Sequence, residues 1–126
     1  MARLSEEILA RCEAFSQRML DVVEVMEKQG RSRRICEQMI GCGTSVGANV
    51  FEADEAMTRK DFVKCLAIAV KELSESRFWL RLVAGRGWVA AERLEPLIAE
   101  TIELRKIMGT MISRTQAGSH RVKASI

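Results

Sequence analysis

The sequence predicts an all-α protein, an antiparallel up-down-up-down four-helix bundle. Three observations carry that expectation. Long stripes of apolar residues recur at helical spacing, a Ser or Thr suited to N-capping stands ahead of three of them, and the connections between them are short. The interior is supplied with seven Met, four Phe, no Tyr and a single Pro, a composition that suits packed helices. At 126 residues, with 48% apolar and 29% charged, the chain is one ordinary globular domain.

The first helix is expected from about Glu6 to Lys28, with Ser5 as N-cap and Ile8, Cys12, Phe15, Met19, Val22 and Met26 on its apolar face. Gln29 and Gly30 end it. Ser32 then caps a second helix that passes Ile35, Met39, Ile40 and Val50 and runs to about Glu55. Gly41, Gly43 and Gly47 inside this helix resemble a phosphate-binding loop only superficially, because no strand precedes them. A glycine within a helix costs up to about 1 kcal/mol relative to Ala, so close approach of a neighbouring helix is the reason expected for all three.

Thr58, followed three residues later by Asp61, is a shortened capping box that opens a third helix through about Val83. Its buried stripe reads Phe62, Leu66, Ala69, Leu73, Ser76 and Leu80, and Gly85 and Gly87 break it. A fourth helix carries Leu94, Leu97, Ile98, Thr101, Ile102, Leu104, Met108, Met111 and Ile112 and ends near Arg114. Pro96 removes the bond to the Glu92 carbonyl, so this helix is expected to kink there, the alternative being a helix that starts at Pro96. The bundle thus spans 1–114, and the small, polar and basic stretch 115–126 is expected to be a flexible tail.

The up-down-up-down topology brings the loop between helices one and two to the same end as the loop between helices three and four. That end collects Lys28, Arg31, Arg33 and Arg34 from one connection and Arg81 and Arg86 from the other, a candidate nucleic-acid-binding surface. Arg33 and Arg34 in a first helical turn oppose the helix dipole at about 0.3 to 1 kcal/mol each, a cost that function would explain. Arg59 and Lys60 break the same rule at the opposite end, and a net charge of +3 decides nothing. Trp88, between Gly87 and Val89 at the basic end, is positioned either to pack or to stack on a base.

Ser45, Asn49 and Glu52, at i, i+4 and i+7, form a polar seam on one helix face, and Lys71 and Glu72 lie in the third helix. Glu52 and Glu72 would serve as an acid/base pair only if isolated. With Asn49 and Lys71 nearby, a structural hydrogen-bond network or an interface is the expected role, Lys71 or a neighbouring subunit supplying donors to Glu52. Other chemistry lacks its actors. The single His, His120, lies in the tail, which excludes the Glu-x-x-His pairs of di-iron bundles and the usual Ser-His or Cys-His partnerships. Cys12, Cys36, Cys42 and Cys65 show no CxxC spacing and read as reduced core thiols. No enzyme, metal or cofactor is expected. Acidic residues precede any apolar run at the N-terminus and no stretch approaches the ~20 apolar residues of a bilayer span, so a cytoplasmic protein without membrane contact is expected.

The run Ser45-Val46-Gly47-Ala48-Asn49, then Glu52-Ala53, Asp61-Phe62, Leu66, Ile68-Ala69, Lys71-Glu72, Glu75-Ser76 and Trp79-Leu80 resembles the four-helix proteins of the 23S rRNA intervening-sequence family, also called S23 ribosomal proteins. The match covers helices two and three closely, and the flanking helices agree in length and pattern. The resemblance implies a small bacterial bundle that assembles into a ring-like homopentamer. It also implies similarity to the accessory variability protein of diversity-generating retroelements, a basic pentameric barrel that engages nucleic acid and a reverse transcriptase. The expected function is therefore non-enzymatic binding of RNA or DNA through repeated basic ends. The alternative is a scaffold ring that recruits a protein partner, such as a reverse transcriptase, without nucleic-acid contact.

Overall fold

The structure, a computed structural model, describes residues 4–125, with side chains described for 4–118. Four helices follow one another: α1 (Glu6–Lys28), α2 (Arg33–Asp54), α3 (Arg59–Gly85) and α4 (Ala91–Ser125), with no strand among the described residues. Three helices begin where a hydroxyl can take an orphan amide. Ser5 Oγ accepts from Ile8 N at 3.2 Å, Ser32 Oγ from Ile35 N at 3.4 Å and Thr58 Oγ1 from Asp61 N at 3.1 Å.

Two helices end in the same way. At the end of α1, Gly30 adopts a φ of 72°, its N–H donates to the Glu27 carbonyl and the Arg31 N–H to the Met26 carbonyl. At the end of α3, Gly87 has a φ of 70°, its N–H donates to Ala84 and the Trp88 N–H to Val83. Both are Schellman turns, in which a left-handed glycine satisfies the last carbonyls. A side chain at either position would strain the turn, which is why glycine stands there.

The α3 stripe is buried throughout, from Phe62 through Leu66, Ala69, Leu73 and Ser76 to Leu80. It meets Met39, Val46 and Val50 of α2, Phe15, Met19 and Met26 of α1, and Leu94, Leu104 and Met108 of α4 in one core. Each fully buried Leu or Met contributes about 1.5 to 3 kcal/mol of transfer energy. Ser76 is tolerated there because its hydroxyl lies 3.4 Å from Cys42 Sγ, and buried Thr101 donates to the Ile98 carbonyl.

Residue pairs fix how the helices run past each other. Leu4 N–H donates to Asp54 Oδ1, whereas farther along α1 Ser16 meets Gly43. Likewise Cys65 lies against Glu52 and Ser76 against Cys42. Extensive contact joins α1 to α2, α2 to α3 and α3 to α4, while α1 touches α4 more sparsely. A bidentate pair bridges that sparser seam: Arg11 Nε and Nη2 donate to Glu100 at 3.1 and 2.6 Å.

The glycines of α2 divide. A Cβ on Gly43 would lie 2.6 Å from Met19 Cβ, and one on Gly47 would lie 2.8 Å from Ser16 Oγ, so both sit where α1 presses on α2. Gly41 has nothing within 4 Å and faces outward, so close approach does not account for it. Ser16 makes the contact polar. Its hydroxyl donates to the Gly43 carbonyl at 2.7 Å and accepts from the Gly47 N–H at 3.2 Å.

For α4 the alternative start at Pro96 is excluded, while the expected end near Arg114 meets a different outcome. The helix opens at Ala91, five residues ahead of Pro96, so it does not start at the proline. Its backbone also passes Arg114 and stays helical to Ser125, through the stretch expected to be a tail. This stretch contains no proline, and apart from Gly118, at about 1 kcal/mol, its residues cost a helix only tenths of a kcal/mol each.

Candidate nucleic-acid interface

The two Schellman turns lie side by side at one end of the molecule. Gln29 Nε2 donates to the Trp88 carbonyl at 2.8 Å, tying the α1–α2 loop to the α3–α4 loop. The Arg31 guanidinium lies 4.9 Å from the centre of the Trp88 ring and that of Arg86 5.9 Å from it. Cation–π attraction of this kind is worth about 0.5 to 1 kcal/mol at exposed sites. Trp88 itself is half-buried and packs on the core. Its ring therefore has both arginines as neighbours while one part of it packs on the core.

Around this clasp stand the other predicted cations. Lys28 is the last residue of α1, and Arg33 and Arg34 form the first turn of α2, which contains no acidic residue. All are exposed. Arg33 Nε reaches Glu37 Oε1 one turn later at 3.2 Å, a fully solvated pair worth at most a few tenths of a kcal/mol. Arg81 stands apart from the clasp: it lines a surface groove on α3 with Ser74, Arg77, Phe78 and Leu82. Gln29 was the residue sequence reasoning missed. The signal was the glycine one residue beyond the cap in both loops, which predicts matching turns and hence matching exposed backbone.

The polar seam is smaller than the sequence suggests. Asn49 Nδ2 donates to both the carbonyl and the hydroxyl of Ser45 at 2.9 Å, closing a bond within α2. Glu52 is exposed and accepts from the Cys65 thiol at 3.8 Å, so it needs no buried cationic partner. Lys71 is exposed and forms no ion pair with Glu52, because position 71 is out of phase with the α3 residues that face α2. Glu72 is half-buried. Burial first, and then repulsion from Glu75, pushes its carboxyl above the usual range, with Lys71 opposing. Beside it, the Trp79 indole donates to Glu75 at 3.1 Å.

The four cysteines are free thiols. Burial pushes Cys12 and Cys42 up to about 11, Glu100 adding to the effect at Cys12, while the Ser76 hydrogen bond opposes it at Cys42. Since the thiolate is the reactive form, neither is an activated nucleophile. At about pH 8, a thiol reagent should modify half-buried Cys65 well before the other three, which are buried. Timed mass spectrometry should show one early adduct, and four only after unfolding. Among the described residues no group of His, Cys, Asp and Glu is arranged to hold a metal, and no helix is long and apolar enough to cross a membrane.

The profile of the 23S rRNA-intervening sequence protein family matches residues 5–110, which takes in all of α1 to α3 and most of α4. The chain belongs to that family. A crystal structure of a protein of unknown function from the S23 ribosomal protein family of Bacteroides thetaiotaomicron is similar, at 28% identity and a TM-score of 0.79. The likeness covers 83% of this chain and 97% of that one. Among curated proteins none matches. The matched residues include the whole Ser45 to Leu80 pattern.

Proposed function

We propose that this family member is a non-enzymatic cytoplasmic protein that binds RNA, or other nucleic acid, through the basic end of an antiparallel up-down-up-down bundle. We further propose that it presents that end repeatedly in a ring-like homopentamer. The observation that carries the binding is the clasp, in which Gln29 ties two loops together and Trp88 holds Arg31 and Arg86. Arginines held in advance lose less conformational entropy when they meet phosphate. Lys28, Arg33 and Arg34 extend the same surface. Contact pairs that fall in number along α2 as they rise along α1 support the antiparallel run.

One chain offers few phosphate contacts, but a ring multiplies them through effective concentration. Light scattering of the protein with a structured ribosomal RNA fragment tests this. Alone, the protein should have the mass of five chains. RNA should join it at low salt and leave as salt rises, because each neutralised phosphate adds about 0.9 to the slope of log affinity against log salt. Association that ignores salt would favour a protein scaffold, a reading that the exposed Phe78 keeps in play.

A further inference from the structure

Helical spacing gives α3 two opposed flanks outside its buried stripe. The flank towards α2 carries Glu72 and Glu75, and both carboxylates help raise the Cys42 thiol of α2. The flank towards α4 carries Val70, which lies with Ile102, and above it Arg77 and Arg81. Phe78 stands beside these arginines, 57% exposed, one of three large apolar side chains left open among the described residues. It lies edge-on to Trp79 with ring centres 5.1 Å apart. The Arg77 Nε is buried and has no hydrogen-bond partner among the described residues, a costly arrangement for a cationic donor.

We propose that α3 carries both halves of a contact between copies of this chain, with Arg77, Phe78 and Arg81 of one copy docking on the Glu72 and Glu75 flank of the next. The charges are complementary, two against two. Glu72 and Glu75 lie about one and a half turns from Arg77 and Arg81, roughly 8 Å along the helix, so neighbours stand nearly level. Contact between opposite flanks is heterologous, and a heterologous contact repeats into a ring when the rotation closes. The half-buried Glu72, disfavoured as a carboxylate within one chain, gains cationic partners. Arg77 gains an acceptor once its side chain turns outward. The contact presupposes the ring proposed above and specifies what joins its members. It also assigns Arg81 to this contact and leaves Lys28, Arg31, Arg33, Arg34 and Arg86 at the basic end.

Three variants of the full chain test it by light scattering, with circular dichroism to verify helix content. Arg77→Glu with Arg81→Glu, and separately Glu72→Lys with Glu75→Lys, should each reduce the mass to that of one chain. Combined in one chain, the four changes restore complementarity and should restore the native mass. Phe78→Ser, at an exposed position, provides the same reading of assembly if a reversal fails to fold. A native oligomer whose mass no variant alters would overturn this pairing and leave the ring to another surface. A native protein that is monomeric would overturn both.

Discussion

Replacing Gly43 by valine should destabilise the protein by about 3 kcal/mol, measured as a fall in the urea midpoint without a change in slope. The Cβ would fall 2.6 Å from Met19 Cβ and 2.8 Å from its Cγ. Those atoms are the root of a fully buried side chain, so no rotamer change relieves the clash and α1 must move off α2. The shift would also pull Ser16 away from the Gly43 carbonyl and the Gly47 amide. Gly41→Ala is the contrast. Nothing lies near that position, so the variant should gain up to about 1 kcal/mol from helix propensity alone. Equal effects at the two positions would show that α1 and α2 are not in the close contact described.

Arg33→Glu combined with Arg34→Glu should abolish most RNA binding while making the protein slightly more stable. The first turn of α2 has no acidic residue, and exchanging two cations for two anions there removes an unfavourable dipole interaction and adds a favourable one. About 0.3 to 1 kcal/mol per exposed charge follows, even after loss of the weak Arg33–Glu37 pair. Binding moves the other way. Loss of two phosphate contacts per chain should make the dependence of log affinity on log salt shallower by about two for each chain that touches the RNA. A variant that still binds with the original slope would remove these arginines from the interface. The opposed signs distinguish a surface kept for function from one kept for folding.

The sequence made the helix starts legible because N-capping is local: Ser5, Ser32 and Thr58 need only an amide three residues on. The α3 core stripe was legible for the same reason, since one period of 3.6 determines which side is buried. What lay beyond reach depended on a second element. Gly41, Gly43 and Gly47 look alike in sequence, yet only two meet α1, and that distinction requires the phase of α1 against α2. Ser16 gave no sign that its hydroxyl would join that contact. The Glu52–Lys71 partnership failed because it assumed a burial that Glu52 does not have. The end of α4 was misread because a polar, small-residue composition resembles a tail although nothing in it stops a helix. At the basic end, topology led one to expect six cations together, yet Arg81 lies apart on the α3 groove, and the Gln29 tie and the contact of Trp88 with two arginines required coordinates.

The Leu4 amide, fastened to Asp54 where α2 finishes, lies a full helix length away from Trp88. A chemical handle attached ahead of Leu4 would therefore meet a biosensor chip with the arginines turned towards the flowing solution. A handle on the loop that contains Arg31 would bury them against the chip. The choice of anchoring point alone would then decide whether an RNA passed over the surface is captured or missed.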